Sequence, residues 1–222
     1  MAEKKLDDFF TCVMREKDFI AAYKLFIEGF DVNCQHDEWN YYPVEAVTYT
    51  LSGIASDKDS ENYNSGIQLL DALLAKGVRI TCTAFTKCPD IDILKHLIPY
   101  CTNINSINPQ YGWTALSYAV TYGSSIDLVK FYLENGADPN IQNVKQNGFT
   151  SLHLAIRENK KEIVKLLLNS GANQNIPYND GTTMDLATYE VNDPDVIRWL
   201  KNGKTDDYVK PKSFFSRLSG KK

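Results

Sequence analysis

Three histidines, five cysteines and a short acidic run are the residues of this 222-residue chain whose types could do chemistry. His36, His96 and His153 are its only histidines. The cysteines (Cys12, Cys34, Cys82, Cys88 and Cys101) are odd in number, scattered and without a CxxC pair. That pattern argues against a disulfide framework or a zinc site and for reduced thiols. Cys82 and Cys88 are six apart, the second next to Pro89, but have no histidine nearby to activate a thiolate, so they are expected to be buried thiols. Asp57, Asp59 and Glu61 could offer oxygens to calcium, yet the run lacks the glycine and the distal glutamate of an EF-hand loop. There is no glycine-rich phosphate loop, no GxSxG and no pair of carboxylates in contrasting surroundings. The expectation is a protein that is not an enzyme and uses no cofactor or metal.

The bulk composition agrees with a soluble, folded chain: 43% hydrophobic and 23% charged residues. No apolar run approaches the ~18 residues a membrane span needs. The opening MAEKKLDDFF places acids where an export signal would carry an apolar core, so a cytoplasmic location is expected. The net charge of −4 is unevenly distributed. Residues 209–222, VKPKSFFSRLSGKK, hold +5 and no acid, which leaves −9 on residues 1–208. An acidic body argues against nucleic acid as the ligand and favours a basic or mixed-charge protein partner.

Something must position whatever surface binds that partner, and the chain shows it by repeating itself. Gly112–Val120 reads GWTALSYAV, and 36 residues later Gly148–Ile156 reads GFTSLHLAI. Each is followed by a run with helical apolar spacing, IDLVKFYLENGADPN and KEIVKLLLNSGANQN. In the second run Ile163, Val164, Leu166 and Leu167 form one stripe. Gly136 and Gly171 then stand 35 residues apart, where a helix needs a left-handed residue to stop. Self-similarity at such a period marks helix pairs that stack because neither can bury its face alone.

The pattern G-x-T-x-L-x-x-A, a second helix and N-G-A-D-P-N resembles the ankyrin repeat. Thr114, Leu116 and Ala119 match its T-P-L-H-x-A signature, as do Thr150, Leu152, His153 and Ala155. Thr183, Asp185 and Ala187 read as a weaker copy with Met184 at the proline position. Upstream the marks are degenerate: FIEGFDVN, YYPVEAV, LLAKGVRI and IPYCTNIN. The resemblance implies an all-α ankyrin-repeat solenoid of about six helix-turn-helix repeats over residues 1–208. The third repeat is expected to have a shortened first helix around Cys82–Lys87, with Pro89 opening its second helix. The polar stretch Ser52–Asn64 is expected to be a solvated insertion between helices.

In this family the variable turn tips and first-helix ends form the binding face, and the signature histidine, here His153, bonds the turn backbone. Mapped onto this chain, the face comprises Gln110, Tyr111, Trp113, Thr121 and Tyr122 in repeat four. Repeat five contributes Gln146, Asn147, Phe149, Arg157 and Glu158, and repeat six Asn179, Asp180, Thr182, Thr188 and Tyr189. Repeat two maps more loosely, to Glu38, Trp39, Tyr41 and Tyr49. Such positions need no large apolar side chain for the core, so the aromatic ones are expected to be exposed anchors for a partner. The reading is a monomeric, non-enzymatic protein that captures one other protein, and an immunity protein occluding a basic toxin is one version of it. The alternative is an adaptor or secreted effector docking on a host protein. Residues 209–222 are expected to be a flexible basic tail, and the same composition suits a short helix docked on the last repeat, a membrane-surface anchor, a peptide held by a partner, or a segment folded back on the acidic body.

Overall fold

The protein was analysed as a computed structural model that describes residues 2–37, 41–123, 125–203 and 205. The described chain is all-α apart from two isolated β-bridges, with twelve α-helices in six consecutive pairs. It divides into two compact units, residues 1–106 and 107–222.

In the first unit α1 (Ala2–Phe10) runs into a π-helical stretch, Thr11–Glu16, that stops where Lys17 turns left-handed at φ 56°. Asp18 then caps α2 (Phe19–Glu28), its Oδ1 accepting from the Ala21 N–H at 2.9 Å. There follow α3 (Pro43–Gly53), α4 (Glu61–Ala75), α5 (Cys82–Thr86) and α6 (Ile91–Leu97). α2 and α3 both pack on α4 around Phe9, Phe10, Phe19, Leu51, Leu69, Leu70 and Leu73, all fully buried. Gly66 lies at the closest point: a Cβ there would meet Leu51 Cδ2 at 2.5 Å and Phe19 at 2.9 Å.

α5 is the shortened first helix the sequence predicts. Pro89 does not open α6, however. Asp90 is the cap, with Oδ1 accepting from the Asp92 N–H at 2.8 Å and the Ile93 N–H at 3.3 Å, and the proline stands outside it. The stretch 52–64 is also more ordered than expected. α3 reaches Gly53, a 3₁₀ turn covers Ala55–Asp57, and Ser60 caps α4 by accepting from the Tyr63 N–H at 3.1 Å. Lys58 then ties this connection to the start of α6, 3.0 Å from Asp90 and 2.8 Å from Asp92, and it holds the Asp92 carboxyl down at about 2.

The second unit comprises α7 (Ala115–Tyr122), α8 (Ile126–Glu134), α9 (Ser151–Arg157), α10 (Lys161–Asn169), α11 (Thr183–Asp185) and α12 (Pro194–Asn202). α11 continues as a π-helical stretch, Leu186–Val191, ended by Asn192 at φ 53°. The first helices of successive repeats lie side by side, α7 on α9 and α9 on the π-helical stretch, and α8 packs on α10 behind them. Leu116, Ala119, Leu152, Ala155, Leu167, Leu186 and Ala187 fill the seam. The small alanines let the first helices approach.

One local device fixes each first helix of the second unit. At Thr114, Thr150 and Thr182 the N-cap hydroxyl accepts from the backbone N–H three residues on. That third residue reaches back to the cap's N–H, and it is chemically different each time. Ser117 Oγ accepts at 2.9 Å, His153 Nδ1 at 3.0 Å and Asp185 Oδ2 at 2.9 Å. In the first unit Glu45 Oε2 accepts from the Tyr42 N–H at 3.0 Å in the same way. This corrects the register of repeat six: Thr182 is its cap, so Asp185 replaces the signature histidine and Met184 stands at the leucine position of Leu152.

Candidate functional site

The turns between the helix pairs of the second unit are cross-braced through backbone carbonyls. Asn143 Nδ2 donates to the Tyr111 carbonyl at 3.1 Å, and Lys145 Nζ bonds the Pro109 carbonyl. Gln142 Nε2 donates to Gly148 O at 3.0 Å and Pro177 O at 2.8 Å. Lys160 Nζ closes the end of α7, donating to Val120 O at 2.7 Å and Thr121 O at 2.9 Å. The turn Asn143–Phe149 closes by an antiparallel bridge and needs left-handed Asn147 (φ 58°) and Gly148 (φ 71°) at its tip. Two lysines that a charge count would place in solvent are thus engaged within the fold.

Of the residues mapped from the sequence, Trp113 and Phe149 are not exposed anchors. They retain 4% and 6% of their surface. Each stands just before a capping threonine, the position where an apolar side chain folds back on the helix start as a staple. Trp113 meets the Tyr122 ring edge-on at 5.8 Å, and Tyr122 also packs on Tyr118 at 4.8 Å. Phe149 lies 5.0 Å from Tyr178 and 5.9 Å from His153, with the Arg157 guanidinium 4.9 Å above its ring. These rings are the foundation of the face.

Three tyrosines of this unit are exposed: Tyr111 by 51%, Tyr122, which packs on Trp113, by 62%, and Tyr189 by 82%. Tyr122 lies eight residues after its capping threonine, Glu158 likewise, and Arg157 and Tyr189 seven after theirs. They therefore form one row across the ends of three adjacent first helices. Arg157 pairs with Glu158 at 3.4 Å, and both are exposed. At the far end Asp180 accepts from Asn147 Nδ2 at 2.6 Å. Burial, then the nearby carboxylates of Glu190, Asp180 and Asp185, push the Tyr178 hydroxyl up, so this end of the row is rimmed by acids. In the first unit Tyr41 and the exposed Tyr49 stack at 5.9 Å, 24° from parallel. Trp39 and Glu38 lie outside the described residues.

Sequence reasoning missed Tyr178, Tyr118 and the exposed Val144. Val144 occupies a turn whose extra length was visible in the 36-residue spacing of GWT and GFT, against 33 from Gly148 to Gly181.

Four residues with chemical potential, His153, Cys82, Cys88 and Glu45, are buried. His153 is fully buried, with Nε2 2.8 Å from Thr183 Oγ1, and burial pushes its imidazole down to about 4. Burial pushes the Cys88 thiol up to about 12 and raises Cys82. Glu45, buried and bonded by the Thr81 hydroxyl, is raised by burial as well. Among the described residues no cluster of His, Cys, Asp or Glu could hold a metal, and no helix is long and apolar enough to cross a membrane.

Comparison with known proteins is consistent with this geometry. The family model described as ankyrin repeats (3 copies) matches residues 60–143 and 122–210. An ankyrin repeat protein of Acanthamoeba polyphaga mimivirus is 39% identical over 53% of this chain and 24% of its own length. One from Rickettsia felis is 28% identical over 51% of this chain and 38% of its own length. Ankyrin repeat protein 14 of vaccinia virus is 38% identical over 36% of this chain and 33% of its own. The chain spans no more than 38% of the length of these relatives.

Proposed function

The chain belongs to the ankyrin-repeat family, a protein-interaction fold, and we propose that it captures one partner protein on the row of Tyr111, Tyr122, Arg157, Glu158 and Tyr189, without chemistry of its own. The observation that carries this reading is the row itself. Tyr122 and Tyr189 stand exposed towards the ends of their first helices and Tyr111 on the turn before Thr114, and the turns are braced through Asn143, Lys145, Gln142 and Lys160. Pre-formed aromatic positions bind with little ordering cost and dominate interface energetics. Tyr41 and Tyr49 of the first unit form a separate aromatic pair. The acids at the Tyr178 end favour a basic or mixed-charge partner, and occlusion of a basic toxin by an immunity protein is one form this could take. A second reading, an adaptor docking on a host protein, draws support from relatives in viruses and in Rickettsia felis.

The test is affinity capture from the source cell with wild-type chain and with Tyr122→Ala/Tyr189→Ala. Both tyrosines are exposed, so the variant should keep its circular-dichroism spectrum and melting temperature. Loss of one stoichiometric partner from the folded variant is expected. Retention of that partner overturns the row as the site, and a partner enzyme left fully active in the complex overturns inhibition.

A further inference from the structure

The exposed row has a candidate occupant within the same chain. We propose that residues 210–222, KPKSFFSRLSGKK, bind back onto the row formed by Tyr122, Glu158, Tyr189 and Glu190 and compete there with the partner. The inference rests on the proposed function only in assigning competition; the docking itself stands on other observations.

The first is complementarity. Residues 210–222 carry Lys210, Lys212, Arg217, Lys221 and Lys222, no acid, and the apolar Phe214, Phe215 and Leu218. The row offers the exposed Tyr122, Glu158, Tyr189 and Glu190, and the exposed Asp180 lies on the turn that opens repeat six. The cations of the neighbourhood are already engaged: Arg157 on Phe149 and Glu158, Lys160 on the carbonyls of Val120 and Thr121, and Lys161 on Asp193 and Asp195. Among the described residues these three cations are thus paired within the fold, and arginine and lysine side chains stack favourably on tyrosine faces.

The second observation is reach. Thr205 is buried and donates to Asn169 Oδ1 at 2.7 Å, so the described chain ends at the C-terminal end of α10. The row lies at the opposite end of the neighbouring first helices, roughly 20 Å away by one helix length and one helix spacing. Seventeen residues follow Thr205, and extended they span roughly 55 Å. Tyr122 and Tyr189, on helices two neighbours apart, are about 20 Å from each other, which a segment of thirteen residues covers. An internal ligand of this kind has a high effective concentration and needs only weak contacts.

Limited trypsinolysis of the full chain tests the idea, with cleavage after Lys212 and Arg217 followed by mass spectrometry. Cleavage should be at least about fivefold slower than in a synthetic peptide of residues 206–222, because protection scales with the bound fraction. About 0.5 M NaCl, Glu190→Lys and Tyr122→Ala/Tyr189→Ala should each restore the peptide rate. Cleavage at the peptide rate in the wild-type chain overturns the proposal, as does protection unchanged in the tyrosine variant. Protection that weakens on dilution overturns it in favour of a second copy. Protection seen only with vesicles containing an anionic phospholipid overturns it in favour of a membrane surface. A chain cleaved at the peptide rate that still loses its partner in Tyr122→Ala/Tyr189→Ala keeps the proposed function and loses this inference.

Discussion

At the scale of single residues, His153 shows how a side chain that looks reactive can be wholly structural. Its Nδ1 accepts from the Thr150 N–H while its Nε2 lies against Thr183 of the next repeat. The Nδ1 bond requires the neutral ring, since a protonated Nδ1 could not accept, and burial holds the ring neutral by lowering its pKa to about 4. An unfolded histidine titrates near ~6.5. The folded value is depressed, so the stabilisation is complete above pH ~6.5 and is lost as the pH falls from there towards 4. Across that window the loss should approach about 3 kcal/mol. Urea midpoints between pH 7 and 4 should fall steeply for the wild type and less steeply for His153→Gln. The two aromatic partners Trp113 and Tyr122 separate in the same way. Trp113→Ala should cost about 3–5 kcal/mol as a buried aromatic truncation, whereas Tyr122→Ala, at an exposed site, should cost under about 1 kcal/mol. Comparable losses in chemical denaturation would refute the assignment of one ring to the foundation and the other to the face. The sequence could not make that distinction from residue type, because a tryptophan beside a turn suits an interface as well as a staple. The position just before the capping threonine was the available signal.

At the scale of elements, the capping device explains which parts of the fold were legible. Where threonine and an apolar run coincide, as at Thr114 and Thr150, the start of the helix can be read directly. Repeat six has two adjacent threonines, and only the three-residue spacing from Thr182 to Asp185 selects the right one. The polar stretch 52–64 reads as loop from its composition, yet Ser60 caps α4 and draws Glu61–Asn64 into its first turn. Glu45 escaped notice because a glutamate in an apolar run gives no hint that it replaces the signature histidine. Packing between elements was equally hidden. α4 accepts α2 and α3 at Gly66, where a methyl group would sit 2.5 Å from Leu51 Cδ2. Gly66→Ala should therefore cost about 1–3 kcal/mol by overpacking, despite alanine's better helix propensity. A melting temperature equal to or above wild type would show that α2 and α3 can yield at this contact.

At the scale of the whole molecule, the acidity and the candidate site belong to different units. Residues 1–106 hold sixteen acids against ten bases, whereas residues 107–205 hold ten against nine. The overall −4 thus describes the first unit more than the row on which a partner is proposed to dock. The basic partner expected from the sequence rests on the −9 of residues 1–208 as a whole, but the acids of the row's own unit include Glu158, Asp180, Asp185 and Glu190, which that count dilutes. Charge close to a contact acts mainly on the association rate, and its influence decays over about 8–10 Å at moderate salt. Neutralising the rim with Asp180→Asn/Glu190→Gln should slow association with the captured partner by about two- to fivefold at low salt and leave dissociation nearly unchanged. Neutralising two exposed acids of the first unit, Asp8→Asn/Asp59→Asn, removes the same formal charge and should slow it less. Stopped-flow or surface-plasmon measurement of both variants against wild type decides the matter. Equal slowing would mean that the partner senses the net charge of the chain, and no slowing in either would leave the tyrosines and Arg157 to carry recognition without electrostatic guidance.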